Sequence, residues 1–155
     1  MELLITEEIT AKLIVSSINL PPKSELIQNG TATGVVIQGA ILECAIKYGE
    51  CFLLFLTNDI PDEDTLSIFL LDSQLRTLDR ASLGGMYSTG SFTNVKLIPP
   101  SSVKFNFIGG CDWRIDILPT AEFHIPFLSC VRGVKRPFSF SRHFVVLGSP
   151  LSEKV

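Results

Sequence analysis

Four permanent cations and no acid fall within eleven residues of the stretch Arg132-Gly133-Val134-Lys135-Arg136-Pro137-Phe138-Ser139-Phe140-Ser141-Arg142-His143. The forked guanidinium groups of Arg132, Arg136 and Arg142 match carboxylates and phosphates, and Lys135 adds a point charge. The interleaved rings of Phe138 and Phe140 suit stacking on bases or packing against a partner. An acidic counterpart lies upstream in Asp59, Asp62, Glu63 and Asp64. It lacks the spaced ligands and the glycine of a calcium loop. It reads as a solvated loop or as a docking patch that steers a basic partner. These ten residues are the candidate binding residues.

Catalytic patterns are less well supplied. Gly85-Met86-Tyr87-Ser88-Thr89-Gly90 approaches a nucleophile elbow, but Met86 stands where the elbow needs glycine, and the sequence around it does not read as strand-to-helix. His124 and His143 titrate in the range useful to a general base, yet neither has a neighbouring group that would define the role. Cys44 and Cys51 are too widely spaced for a zinc knuckle, so no metal is expected. Gly30-Thr31-Ala32-Thr33-Gly34 lacks the lysine and the helix of a phosphate loop. No cofactor is expected.

The elements that must hold these residues repeat every two positions. Val103, Phe105 and Phe107 alternate with Lys104 and Asn106, and Trp113, Ile115 and Ile117 alternate with Arg114 and Asp116. Gly109-Gly110-Cys111-Asp112 between them predicts a hairpin. Leu42, Cys44 and Ile46 are expected on one side of a strand that runs from Val35 to Lys47, with Glu43 and Lys47 on the other. Tyr48-Gly49 then turns the chain into Cys51–Leu56, which is apolar on both faces and calls for a sheet covered on both sides. Thr65–Leu71 is a further strand.

The stretch Asp72–Leu83 is read as a turn at Asp72-Ser73-Gln74 followed by a returning strand, a short helix capped by Ser73 being the alternative. Strands are also expected at Phe92–Ile98, Glu122–Ile125 and His143–Leu147, with Pro99-Pro100 and Pro119 marking strand ends. Ile5–Leu20 favours a strand, although Thr6-Glu7-Glu8 would also start a helix that stops before Pro21-Pro22. Asn29-Gly30 is turn chemistry.

Eight or more short strands with turns between them predict an all-β domain, an antiparallel sandwich or barrel with at most one or two short helices. A length of 155 residues with 46% hydrophobic and 19% charged residues suits a single domain, 1–155, with a substantial core. The N-terminal residues lack the basic start and apolar run of a signal peptide, and the longest apolar stretch is far short of the ~20 residues of a membrane helix. A cytoplasmic location is expected, in which Cys44, Cys51, Cys111 and Cys130 stay reduced.

Charge is segregated. Residues 1–80 carry 12 acids and 5 bases, and residues 81–155 carry 4 acids and 8 bases, within a net charge of −3. The leading expectation is a non-enzymatic binding protein, of the inhibitor or immunity type, that neutralises a partner toxin or enzyme by covering it. Such a role needs only a complementary surface of about 800 Å² per side and leaves no motif. An alternative is a small-ligand or enzymatic β-barrel in which His124 or His143 acts as base and Arg136 or Arg142 holds an anion. A second alternative is a nucleic-acid accessory protein that uses the 132–143 segment, against which stands a pI of about 5.3.

Overall fold

The structure is a computed structural model that describes residues 2–17, 19–60, 64–84, 90–123, 131–137, 139 and 141–150. Thirteen strands follow one another, with no helix among the described residues. They are β1 (Leu3–Ile5), β2 (Ile9–Ser17), β3 (Leu20–Gln28), β4 (Thr31–Gln38), β5 (Ile41–Tyr48), β6 (Cys51–Thr57) and β7 (Leu66–Leu71). The chain continues through β8 (Thr77–Leu83), β9 (Thr93–Ile98), β10 (Ser102–Asn106), β11 (Asp112–Phe123), β12 (Val134–Lys135) and β13 (Ser141–Leu147).

The strands form three antiparallel sheets: a six-stranded sheet in the order β1-β5-β6-β7-β8-β12, a four-stranded sheet β13-β11-β10-β9, and a three-stranded sheet β2-β3-β4. The six-stranded sheet lies in the middle. On one face Leu53, Phe55, Leu66, Ile68, Leu70, Ala81 and Leu83 pack against Val103, Phe105, Trp113, Ile115, Phe144 and Val146 of the four-stranded sheet. On the other face Phe52, Leu54, Leu56, Phe69 and Leu71 pack against Ile9, Leu26 and Ile37 of the three-stranded sheet. The fold is therefore a layered antiparallel sandwich, not a closed barrel. The apolar run Cys51–Leu56 is explained by this position, because both faces of β6 are buried.

The predicted hairpin is β10–β11, with Phe105 opposite Trp113 and Val103 opposite Ile115. The Trp113 indole N–H donates to the Ile108 carbonyl at 2.8 Å, which satisfies the one polar atom of a fully buried ring. Asp72 makes the expected turn between β7 and β8: one carboxylate oxygen accepts the N–H groups of Gln74 and Arg76. The helix alternative for Asp72–Leu83 is displaced by this turn and by the β7–β8 ladder. Within Ile5–Leu20 the preferred strand forms as β2, hydrogen-bonded to β3. Asn29 and Gly30, both at positive φ, turn β3 into β4.

Four local expectations change. Pro21 and Pro22 lie inside the start of β3 and end nothing; the Pro22 carbonyl accepts from Gly39 N–H. The Val35–Lys47 stretch is not one strand: Gly39, at φ 138°, breaks it and carries the chain from the three-stranded sheet into the central one. Leu42 does not share a face with Cys44 and Ile46. A bulge between Leu42 and Cys44 shifts the alternation, so Leu42 faces the second core while Cys44 and Ile46 face the first. Pro119 lies within β11, where pairing with β13 is interrupted between Ile117 and Glu122, a gap that needs no donor from proline. Part of the expected Glu122–Ile125 strand, including His124, lies outside the described residues, as does the Met86–Ser88 motif.

Candidate functional site at the edge of the central sheet

After a bulge at its start, β8 alternates from Asp79 to Leu83. Asp79, Ala81 and Leu83 are buried toward the four-stranded sheet, whereas Leu78 and Arg80 are exposed and Ser82 is half-buried on the opposite face. The three-stranded sheet covers that opposite face over β5, β6 and β7, and its apolar contacts end at Phe69 and Leu71. Beyond them β8 and β12 present polar side chains.

The register fixes which residues meet there. Ser67 is opposite Ser82, and Lys135 of β12 is opposite Ser82 on the other side. Phe69 is opposite Arg80. Cross-strand partners point to the same face, and diagonal neighbours remain within reach of long side chains. The outcome is a cleft of about 260 Å³ lined by Gln38, Ser67, Phe69, Arg80, Ser82, Lys135 and Arg136, among others. Arg80 and Lys135 have no ion-pair partner among the described residues.

Arg136 is handled differently. Its Nη2 donates to Asp79 Oδ2 at 2.6 Å and its Nη1 to the Phe144 carbonyl at 2.9 Å. The guanidinium also lies 4.4 Å from the centroid of the Phe144 ring, within range of a cation–π contact. The pair is deep, with 15% of the arginine side chain and 3% of the aspartate side chain exposed. Burial pulls the guanidinium below its ordinary pKa, and the charge and hydrogen bond of Asp79 oppose that shift. Its Nε is buried with no acceptor among the described residues.

The sequence-derived candidates therefore separate into groups. Arg132 and Lys135 are exposed. Arg136 joins a base of the second half of the chain to an acid of the first, the cross-fold pairing that the charge segregation allows. Arg142 is buried, and its guanidinium donates to the backbone carbonyls of Pro137 at 3.2 Å and Ser141 at 3.4 Å. Phe138, Phe140, Asp62 and Glu63 lie outside the described residues.

Asp59 is exposed at positive φ. Asp64 serves the backbone, with one oxygen accepting from Asn58 N–H at 2.9 Å and from Thr65 N–H at 2.8 Å. Gly84, just past the end of β8, brings Asp64 and Gly133, far apart in sequence, close together. Gly84 N–H donates to the Gly133 carbonyl, and a β-carbon on Gly84 would stand 3.5 Å from the Asp64 carbonyl oxygen.

The reading with a histidine base in a barrel mouth has no barrel to occupy, since the sheets stay open. His143 does approach Arg136, through a shared carboxylate: its backbone N–H donates to Asp79 Oδ2 at 2.8 Å. Arg80, which completes the cleft, was missed in sequence. It stands alone between Asp79 and Ala81, and only the β7–β8–β12 register brings it to Lys135. A second, more open depression of about 730 Å³ runs along β1, β2 and β5, with Glu7 and Glu43 on its lining. Cys44, Cys51 and Cys111 are free and half-buried against the first core, and burial pushes the thiols of Cys44 and Cys51 above their ordinary range. Among the described residues no cluster of histidine, cysteine and acids is arranged to hold a metal. Comparison with protein-family models, with curated proteins and with solved structures gives no match.

Proposed function

We propose that this protein is a binding protein that docks an acidic partner protein through the cationic end of its central sheet and acts by covering that partner. The observation that supports the reading is the presentation of Arg80 and Lys135 with no ion-pair partner among the described residues, with Arg132 exposed nearby in sequence, on a chain whose net charge is −3. A net-acidic chain that gathers cations on one uncovered face has the polarity that steers association with an opposite surface. The layered core beneath gives a rigid platform, so the loss of freedom on docking is confined to surface side chains. An inhibitor or immunity-type role fits this picture because occlusion requires complementarity alone.

The test is affinity capture from the source cell, followed by cross-linking and identification. The intact chain and its Arg80→Glu/Lys135→Glu variant are compared at low and high ionic strength. A specific acidic protein should be retained by the intact chain, lost from the variant and released by salt. An intact chain that elutes alone, or a partner held equally by the variant, would refute the proposal.

A further inference from the structure

We infer that the cleft between Gln38, Ser67, Arg80, Ser82 and Lys135 is a receptor for a single oxyanion, a carboxylate or phosphate group. The inference rests on the same face as the docking reading but requires only the isolated chain, so the two can fail separately.

The lining is chemically one-sided. Arg80 and Lys135 contribute cations, Ser67 and Ser82 contribute hydroxyls, and Gln38 contributes an amide, while Arg136 borders the cleft with its guanidinium committed to Asp79; no carboxylate lines it among the described residues. Ammonium and guanidinium groups are pure donors, and hydroxyls and amides can donate as well. An acceptor-only oxyanion matches such a set, with charge-assisted bonds stronger than neutral ones. The cross-strand row Leu56, Ser67, Ser82, Lys135 passes from the sealed core to an exposed cation, so the hydroxyls lie between apolar packing and charge. Ser67 is itself buried, and Phe69 beside it is 5% exposed. Those walls lower the local dielectric and strengthen any ion held against them.

The carboxylate next to Arg80 in β8, Asp79, is directed away. It follows from alternation along β8 that Asp79 and Arg80 point to opposite faces. Its oxygens are occupied by Arg136 Nη2 and by the N–H groups of Arg80, His143 and Phe144. The like charges of Arg80 and Lys135 repel across the cleft with no counter-ion among the described residues, a repulsion that a bound anion relieves. The volume of about 260 Å³ also fits a small group. At about 30 Å³ per water, it accommodates an anion of a few heavy atoms together with bridging waters.

The experiment is a titration of the isolated chain with inorganic phosphate and, separately, with acetate at constant ionic strength. It is followed by NMR through the backbone amides of Ser67, Arg80, Ser82 and Lys135. Expected is a saturable shift confined to these residues with at least one of the anions, weakened tenfold or more in Arg80→Ala/Lys135→Ala. Both substitutions remove exposed side chains, and matching amide spectra elsewhere would certify the fold. Tighter phosphate binding identifies a phosphorylated ligand, and tighter acetate binding identifies a carboxylate. Linear, unsaturable shifts with both anions would overturn the inference, as would saturable shifts that survive the double substitution.

Discussion

At Asp79 four donors converge on one carboxylate: the Arg136 guanidinium and the backbone N–H groups of Arg80, His143 and Phe144. This corner is where β8 of the central sheet meets β13 of the four-stranded sheet. Removing the charge strands a guanidinium that is largely out of water. Asp79→Asn is therefore expected to cost about 3–5 kcal/mol, the range for breaking a buried ion pair on one side. Arg136→Met should lose less, because it leaves backbone donors still bound to the carboxylate. The two changes together should fall short of their sum by about 1–3 kcal/mol, as neighbouring partners do. Urea denaturation followed by the fluorescence of the single tryptophan, Trp113, measures all three. An Asp79→Asn variant within 0.5 kcal/mol of the parent, the ordinary span for surface changes, would show that the corner is held by other means.

At the scale of the element, the crossing from the three-stranded to the central sheet depends on Gly39. Its φ of 138° is a conformation that side chains rarely adopt, and an added β-carbon would lie 2.6 Å from the β-carbon of the fully buried Leu56. Its carbonyl also accepts the Ser24 hydroxyl at 2.7 Å. Gly39→Ala combines backbone strain with overpacking against a residue that has no room to move, and should destabilise by about 2–4 kcal/mol. Gly30 offers the contrast. It too has positive φ, in the β3–β4 turn, but nothing lies within 4 Å of the added carbon. Gly30→Ala should cost only the left-handed backbone term of about 1–2 kcal/mol. Thermal melts of the two variants would check the order, and a Gly39→Ala protein more stable than Gly30→Ala would contradict the crossing geometry.

For the whole molecule, the central sheet couples two cores, because neighbouring residues of β6 and β7 enter opposite ones. Neither outer sheet can leave without exposing one face of the middle layer. Unfolding should thus be a single transition in which Trp113 fluorescence and far-UV circular dichroism coincide. Its pH dependence follows from groups at the surface and the core margin. The carboxyls of Glu8, Asp72 and Asp112 are held below their ordinary values, chiefly by hydrogen bonds from the Lys47 side chain, the Arg76 backbone N–H and the Lys104 side chain respectively. A lowered folded pKa means that the stability is present above the unfolded value and is lost as pH falls through the folded one.

The thiols of Cys44 and Cys51 shift the other way: burial favours their protonated forms, so their contribution is present below the ordinary thiol range and declines as pH rises through and above it. Melting temperature should form a plateau at neutral pH and fall on both sides. The acid limb should flatten in molar salt, because Asp112 is exposed and Glu8 and Asp72 are only half-buried, within reach of screening ions. An acid limb unchanged by salt would assign acid unfolding to buried groups.

Side-chain type and two-residue spacing by themselves determined that the chain is built of antiparallel strands, that β6 is covered on both faces, and that Trp113 and Phe105 belong to one hairpin. These are local consequences of the pleat, which sends successive residues to opposite faces. The tertiary structure alone decided how the sheets divide and where the cations go. The bulge at Glu43 and the glycine crossing at Gly39 shift faces in ways no alternation rule contains, and so the side of Leu42 was not legible. Likewise Arg136 and Arg142 look alike in sequence to Arg132 and Lys135, yet the first meets Asp79 and the second is buried against backbone carbonyls. What separates them is long-range register, since a cation becomes structural or available according to which strand, distant in the chain, is hydrogen-bonded beside it.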